Sequence, residues 1–319
     1  MTLAPSLINA ATVRPPDLLV ASDMIDLGDL LARLRTTHAE VPVVLYLHEN
    51  QLTYPRQREE QLDIGLAWVT WRNLTLADEI WCNSAFHRDE LLAALPTFLD
   101  SVPDENHLDA LSDVTAKMRV HPVGVTIPDG RDRVEPPLVL SNQRWHHDKD
   151  VGAVVRAMLR LADDGANFRT AVIGDDRGGL ADEIHPMLDR LGDRVVARGL
   201  QDRADYERIL GEADIVVSAA RNEFFGVAIV EAVGAGAVPV LPNSVAYPEV
   251  IPTEFHSSVL YETGQLRFAL ASTLADLPTR RREAAGLAAA MERFAWPTVA
   301  AGYDRNAVAL ASSHSDGAN

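Results

Sequence analysis

Short apolar runs of Val, Ile and Leu recur along this chain at intervals too long for hairpins, and the stretches between them carry helical periodicity. Runs of four or five apolar residues without polar alternation suit strands covered on both faces, the condition met in parallel sheets joined by helices. In the second half the runs predict strands at 138–141, 169–173, 194–197, 214–218, 238–241 and 258–261, enough for a complete doubly wound sheet. The first half predicts only 18–21, 43–47, 79–82 and 118–122, with helices near 61–77 and 85–94, and reads as an incomplete set.

The two sets are divided by PVGVTIPDGRDRVEPP, residues 122–137, where the apolar pattern stops in a cluster of Pro, Gly and charge and then restarts as a new strand. This predicts two α/β domains, 1–134 and 135–295, with an acidic surface excursion at 100–113 and a disordered tail from Ser312 to Asn319. A length of 319 residues with 47% hydrophobic and 24% charged content suits such a pair. The lone Cys82 excludes a disulfide framework and points to core packing and a reducing cytosol. Neither a signal peptide nor an apolar run long enough for a membrane anchor is expected. With 29 Lys and Arg against 46 Asp and Glu, the formal net charge of −17 opposes nonspecific binding of polyanions. A nucleic-acid partner would need a local basic patch, for which Arg56 with Arg58 or the run Arg280, Arg281, Arg282 are candidates, although such a run also suits a solvated helix face.

Three segments carry chemistry. In SAARNEFFGVAIVEAVGAGAVPVLPN a strand ends near Ser218 and a helix starts around Phe225 or Gly226. The backbone N–H groups of Phe225, Gly226 and Val227 would be unpaired there and could donate to hydroxyl or phosphate oxygens. Glu223 before the helix and Glu231 within it could reach a sugar and a ribose, and fit equally an N-terminal helix charge and a solvated residue. In SNQRWHHDKD, directly after the first strand of the second domain, Arg144 and Lys149 could supply the fixed cations that a diphosphate leaving group needs, or be ordinary surface charges. His146 and His147 lack a companion carboxylate set with metal-ligand spacing, so no metal site is expected. In LYLHENQLTYP a buried strand delivers His48, Glu49, Asn50, Gln51 and Tyr54 to its carboxyl end, a cluster suited to a polar substrate in which His48 could shuttle a proton or orient a hydroxyl.

HENQLTYP at 48–55, NSAFHRDELL at 83–92, RWHHDK at 144–149 and EFFGVAIVEAVGAGAVPVLPNSVAYPE at 223–249 together resemble the tRNA-queuosine α-mannosyltransferase family within glycosyltransferase family 4, over roughly residues 17–310. The resemblance implies a GT-B fold: two Rossmann-like doubly wound domains with a cleft between them, and a C-terminal helix, here about 296–311, returning to the first domain. It also implies GDP-mannose as donor, the queuosine nucleoside of tRNA as acceptor, transfer with retention of configuration, and neither cofactor nor bound metal. By motif position, Arg144 and Lys149 would hold the diphosphate, Glu223 and the amides of Phe225, Gly226 and Val227 the sugar, and Glu231 the ribose. His48 would sit beside the acceptor hydroxyl, with Glu49, Asn50, Gln51 and Tyr54 around the acceptor.

Family members usually open with a strand and a Gly-Gly-Ser-His type loop, and nothing before Asp17 resembles it. A sheet lacking its first strand and loop would expose an edge that a neighbouring subunit could cover, so a homo-oligomer is a candidate state. The acidity of the chain keeps in play a retaining transfer from a nucleoside diphosphate sugar to a small metabolite or lipid, and the missing first strand and loop keep in play a nucleotide-sugar-binding module without turnover.

Overall fold

The computed structural model describes residues 16–35, 41–55, 62–101, 106–130, 133–177 and 179–317, with side chains as far as 313. The chain divides into two compact units, the first formed by 1–122 with 299–319 and the second by 123–298.

Unit 1 holds a four-stranded parallel sheet in the order β1-β2-β3-β4, with β1 Leu19–Ser22, β2 Val43–Leu47, β3 Glu79–Cys82 and β4 Met118–Val120. All five residues of β2 are buried, because alternate side chains enter different apolar layers. Val43, Leu45 and Leu47 join Ile80 and Cys82 in a core with the helices Leu27–Leu34, Ile64–Leu76 and Ala85–Asp100. Val44, Tyr46 and Trp81 face the other way, onto Tyr303, Ala307 and Leu310 of the long helix Trp296–Gly317. The Tyr303 ring stacks on Trp81 at 5.3 Å, and its hydroxyl donates to the Pro122 carbonyl at 2.7 Å. The run expected as a disordered tail therefore continues this helix through Gly317, since AVALASSHSD contains neither Pro nor Gly to stop it. Part of the acidic 100–113 excursion is likewise ordered, in the turn Leu108–Ala110 and the helix Leu111–Lys117, whose Val114 is buried in the unit 1 core.

Unit 2 holds six parallel strands in the order β10-β9-β8-β5-β6-β7, with β5 Leu138–Ser141, β6 Arg169–Ile173, β7 Val195–Gly199, β8 Ile215–Val217, β9 Val238–Pro242 and β10 Leu260–Tyr261. Leu138, Leu140, Ala171, Ile173 and Val216 enter one core layer, and Val139, Val172, Ile215 and Val217 the other. Strand order reverses between β5 and β8, and the loops leaving the carboxyl ends of strands at such a switch point are where doubly wound sheets bind ligands. Residues 123–134, assigned to the first domain on sequence, belong to unit 2. Val125 is 2% exposed, its N–H donates to the Phe294 carbonyl at 2.8 Å, and its own carbonyl accepts from the Trp296 N–H at 3.1 Å. The apolar valine fixes that segment by burial before the Pro and Gly cluster ends.

Candidate donor and acceptor sites

In unit 2 the carboxyl end of β5 continues into Asn142, Gln143, Arg144 and Trp145, and the carboxyl end of β8 into the loop 218–226. Gln143 joins the two. Its amide oxygen accepts from Ser218 Oγ at 2.7 Å, and its Nε2 donates to Tyr247 Oη at 3.1 Å and Glu223 Oε2 at 3.4 Å. Ser218 Oγ and Tyr247 Oη lie 2.8 Å apart, which closes a buried ring of polar groups beneath the loop.

Lys149 is anchored in this network. Its Nζ donates to the Asn222 carbonyl at 2.6 Å and lies 3.2 Å from both Glu223 Oε2 and Asp148 Oδ2. Asp148 is fully buried and also meets His146 Nδ1 at 2.6 Å and Arg144 Nη2 at 3.5 Å. Burial pushes the Asp148 carboxyl up, but Lys149, the His146 hydrogen bond and Arg144 outweigh it and hold its pKa below the ordinary value. The Arg144 side chain is about half exposed, whereas that of Lys149 is only 11% exposed, so one cation is adaptable and the other fixed.

The helix Val227–Gly234 starts beside this cluster, with Gly226 as its N-cap at a φ of 99°. A Cβ at Gly226 would stand 3.2 Å from the Tyr247 ring, so both the left-handed backbone and the space call for glycine. The side chain of Phe225 is buried against Phe294 and its N–H, expected to be unpaired, donates to Glu223 Oε1 at 3.5 Å, while Val227 is exposed. Glu231, in the second turn, is 7% exposed rather than solvated. Its Oε2 accepts from Tyr206 Oη at 2.7 Å, and Arg203 stands 3.7 Å from the other oxygen. Burial raises the Glu231 pKa, against the pull of Tyr206 and Arg203. Asn142 ties this end to the rest through Nδ2, which donates to the Ala228 carbonyl at 2.7 Å and faces Tyr206 Oη at 3.3 Å. Arg144, Lys149, Glu223, the helix start and Glu231 thus belong to one connected region of unit 2. It combines one fixed and one adaptable cation, a helix N-terminus and two carboxylates, a composition able to bind an anionic group and an adjoining polyol.

In unit 1 the HENQ segment leaves the carboxyl end of β2. Asp23, 6% exposed and just past β1, accepts with Oδ2 from the His48 N–H at 3.2 Å and the Glu49 N–H at 3.0 Å. Its Oδ1 lies 3.5 Å from His48 Nδ1, and this contact raises the imidazole pKa against the opposing effect of burial. The His48 carbonyl accepts from Asn83 Nδ2 at 2.8 Å, and Asn83 Oδ1 pairs with His87 Nδ1 at 2.9 Å. Asn50 is buried and turns inward to cap its own loop, its Oδ1 accepting from the Thr53 N–H at 2.9 Å. Glu49, Gln51 and Tyr54 are part-exposed on the same segment. Residues 48–54 therefore form one rim, on which His48 is the most exposed member and Asn50 is buried.

Sequence reasoning missed Asp23, Asp148, Gln143, Ser218, Tyr206 and Tyr247. Only Asp148 carried a local signal, as the acid between the paired histidines and Lys149. Among the described residues no group of three or more His, Cys, Asp and Glu side chains is placed to hold a metal ion, and no helix is long and apolar enough to cross a membrane. Arg56 and Arg58 lie outside the described residues. In the other basic run Arg280 pairs with Glu283 at 2.8 Å and Arg281 pairs with the buried Asp214, so two of those three charges are met internally.

Two parallel-sheet α/β units of this kind are the GT-B fold. Solved structures sharing it include sucrose-phosphate synthase from Thermosynechococcus elongatus (TM-score 0.76, 18% identity, 98% of this chain and 78% of that one). Anabaena HepE in complex with UDP-glucose is a second (TM-score 0.65, 19% identity, 98% and 82%). Residues 1–125 match the family model described as tRNA-queuosine alpha-mannosyltransferase N-terminal, and residues 136–279 match that described as glycosyl transferases group 1. The two matches make the chain a glycosyltransferase whose first part is similar to the N-terminal part of tRNA-queuosine alpha-mannosyltransferases. A Drosophila melanogaster relative, a tRNA-queuosine alpha-mannosyltransferase, is 29% identical over 249 residues, which span 74% of this chain and 66% of the relative.

Proposed function

We propose that the protein transfers mannose from GDP-mannose to the queuosine nucleoside of tRNA, with retention of anomeric configuration and without a metal. The observation that carries this reading is the match of the HENQ-bearing residues 1–125 to the N-terminal part of that family, alongside a donor-type seat in unit 2. Lys149 and Arg144 would bind the diphosphate and stabilise the charge it gains as the glycosidic bond breaks, which is the largest single contribution such a site makes. Backbone amides at the start of the Val227–Gly234 helix, with Glu223, would hold the sugar, and Glu231 the ribose hydroxyls. A front-side displacement needs no protein nucleophile. The acceptor hydroxyl would pass its proton largely to the leaving phosphate oxygen, with His48 assisting from the acceptor side.

The net charge of −17 favours a second reading, in which the acceptor is a small metabolite or lipid rather than RNA. Incubation with mannose-labelled GDP-mannose and tRNA from queuosine-replete and queuosine-deficient cells separates the two. Label confined to the queuosine-replete tRNA is expected. Label transferred equally to both, or only to a metabolite extract, would remove the tRNA reading, and donor binding without transfer to any acceptor would leave a binding module.

A further inference from the structure

We infer that Asp23 is the positioning residue for His48, holding the imidazole by its Nδ1 edge so that Nε2 is presented to the acceptor hydroxyl. The inference deepens the functional reading above and rests on its placement of His48. The parallel pairing of β1 with β2, with Ser22 opposite Tyr46, sets Asp23 at the point where β2 turns into the HENQ segment, and the Asp23 N–H donates to the Tyr46 carbonyl at 3.2 Å. Both carboxylate oxygens are committed. One receives the amides of His48 and Glu49, and the other receives Ser22 Oγ at 3.1 Å and faces the imidazole.

Two peptide N–H groups need only a neutral acceptor, such as an asparagine or serine oxygen. A carboxylate only 6% exposed is a costly way to supply one, because burial disfavours its charge. The imidazole accounts for the charge: a neutral ring that donates Nδ1–H to a carboxylate carries its lone pair on Nε2, at the opposite edge. The backbone of His48 is held by Asn83, and its ring lies 4.8 Å from the Tyr46 ring on one side while 59% exposure leaves the outer edge accessible. The other titratable groups near it are Glu49, which reinforces Asp23, and His87, which is buried on the far side of Asn83.

Asp23→Asn is the test, because it keeps the volume and can still accept from a backbone amide while turning an NH2 group toward Nδ1. The variant removes the charge and favours the tautomer with the proton on Nε2. NMR titration of the His48 Cε1 proton, assigned by its loss in His48→Gln, should show the midpoint falling by about one pH unit. The acid limb of the kcat profile should move down by the same amount, with a plateau about tenfold lower and an unchanged KM for GDP-mannose. If Asp23 merely anchors the loop, midpoint and limb stay where they are in the wild type, and the inference is overturned. Should Asp23→Asn not fold, the wild-type titration decides: a midpoint above 6.5 supports the pairing, and one at or below it refutes it. The titration needs no substrate, so a wild type that transfers no mannose would remove the functional reading while leaving the His48–Asp23 contact independently tested.

Discussion

Replacing Lys149 with Met keeps most of the aliphatic stem and deletes the ammonium. The change leaves the fully buried Asp148, the Glu223 carboxylate and the Asn222 carbonyl without the donor that now lies 2.6–3.2 Å from each. Breaking one partner out of a buried ion pair costs about 3–5 kcal/mol, because the remaining charge stays desolvated. Arg144 at 3.5 Å and His146 at 2.6 Å still face Asp148, so the loss should sit near the lower end, about 3 kcal/mol at pH 7. The pH dependence has a definite sign. A carboxylate whose folded pKa is depressed contributes stability above its unfolded value of 3.8 and loses it as pH falls through the folded value. Without Lys149 that folded pKa climbs back toward the unfolded value, so the variant lacks this contribution and the gap to wild type, full at neutral pH, narrows as pH falls below 3.8. Urea unfolding should be read by hydrogen exchange at the β5 and β8 amides, since a chain of two units need not unfold in one step. A loss under about 1 kcal/mol, typical of exposed pairs, or a gap that does not narrow as pH is taken below 3.8, would refute the reasoning.

Two further outcomes are expected. Gly226→Ala places a Cβ at a φ of 99° and 3.2 Å from Tyr247, and should cost about 1–3 kcal/mol while weakening donor binding more than Glu231→Gln does, measurable by thermal melts with and without GDP-mannose. His87, fully buried, has its pKa lowered by burial from 6.5 to about 4, so the folded state resists a proton that the unfolded chain takes up. Unit 1 should therefore lose about 3 kcal/mol as pH falls from 6.5 to 4, and His87→Gln should flatten that slope in urea titrations.

Much of the fold is legible in local pattern. The runs at 43–47, 79–82, 138–141 and 169–173 coincide with β2, β3, β5 and β6, because each holds at least three consecutive apolar residues, which a strand covered on both faces buries. Strand ends next to helical turns are less readable. The strand expected from Ser258 begins only at Leu260, since His256–Val259 closes a helical turn first. At the site, Arg144, Lys149 and Glu223 stand out as charges in loops after strands, and Glu231 as a charge in an otherwise apolar helix. Gln143, Ser218 and Tyr247 do not, because their part depends on hydrogen bonds between residues 29, 75 and 104 positions apart. Asp23 is invisible for the same reason: only the β1–β2 register brings it to His48, 25 residues along the chain.

Isothermal titration of GDP-mannose, GDP, UDP and ADP into the wild type and Lys149→Met bears most directly on a nucleoside diphosphate sugar seated in unit 2. The expected result is saturable binding of GDP-mannose, competition by GDP, weaker binding of UDP and ADP, and a loss of at least tenfold in affinity in a folded Lys149→Met variant, as expected for a charge-assisted contact worth about 1.5–3 kcal/mol. Absence of binding by every nucleotide, or equal affinity in wild type and variant, would contradict it.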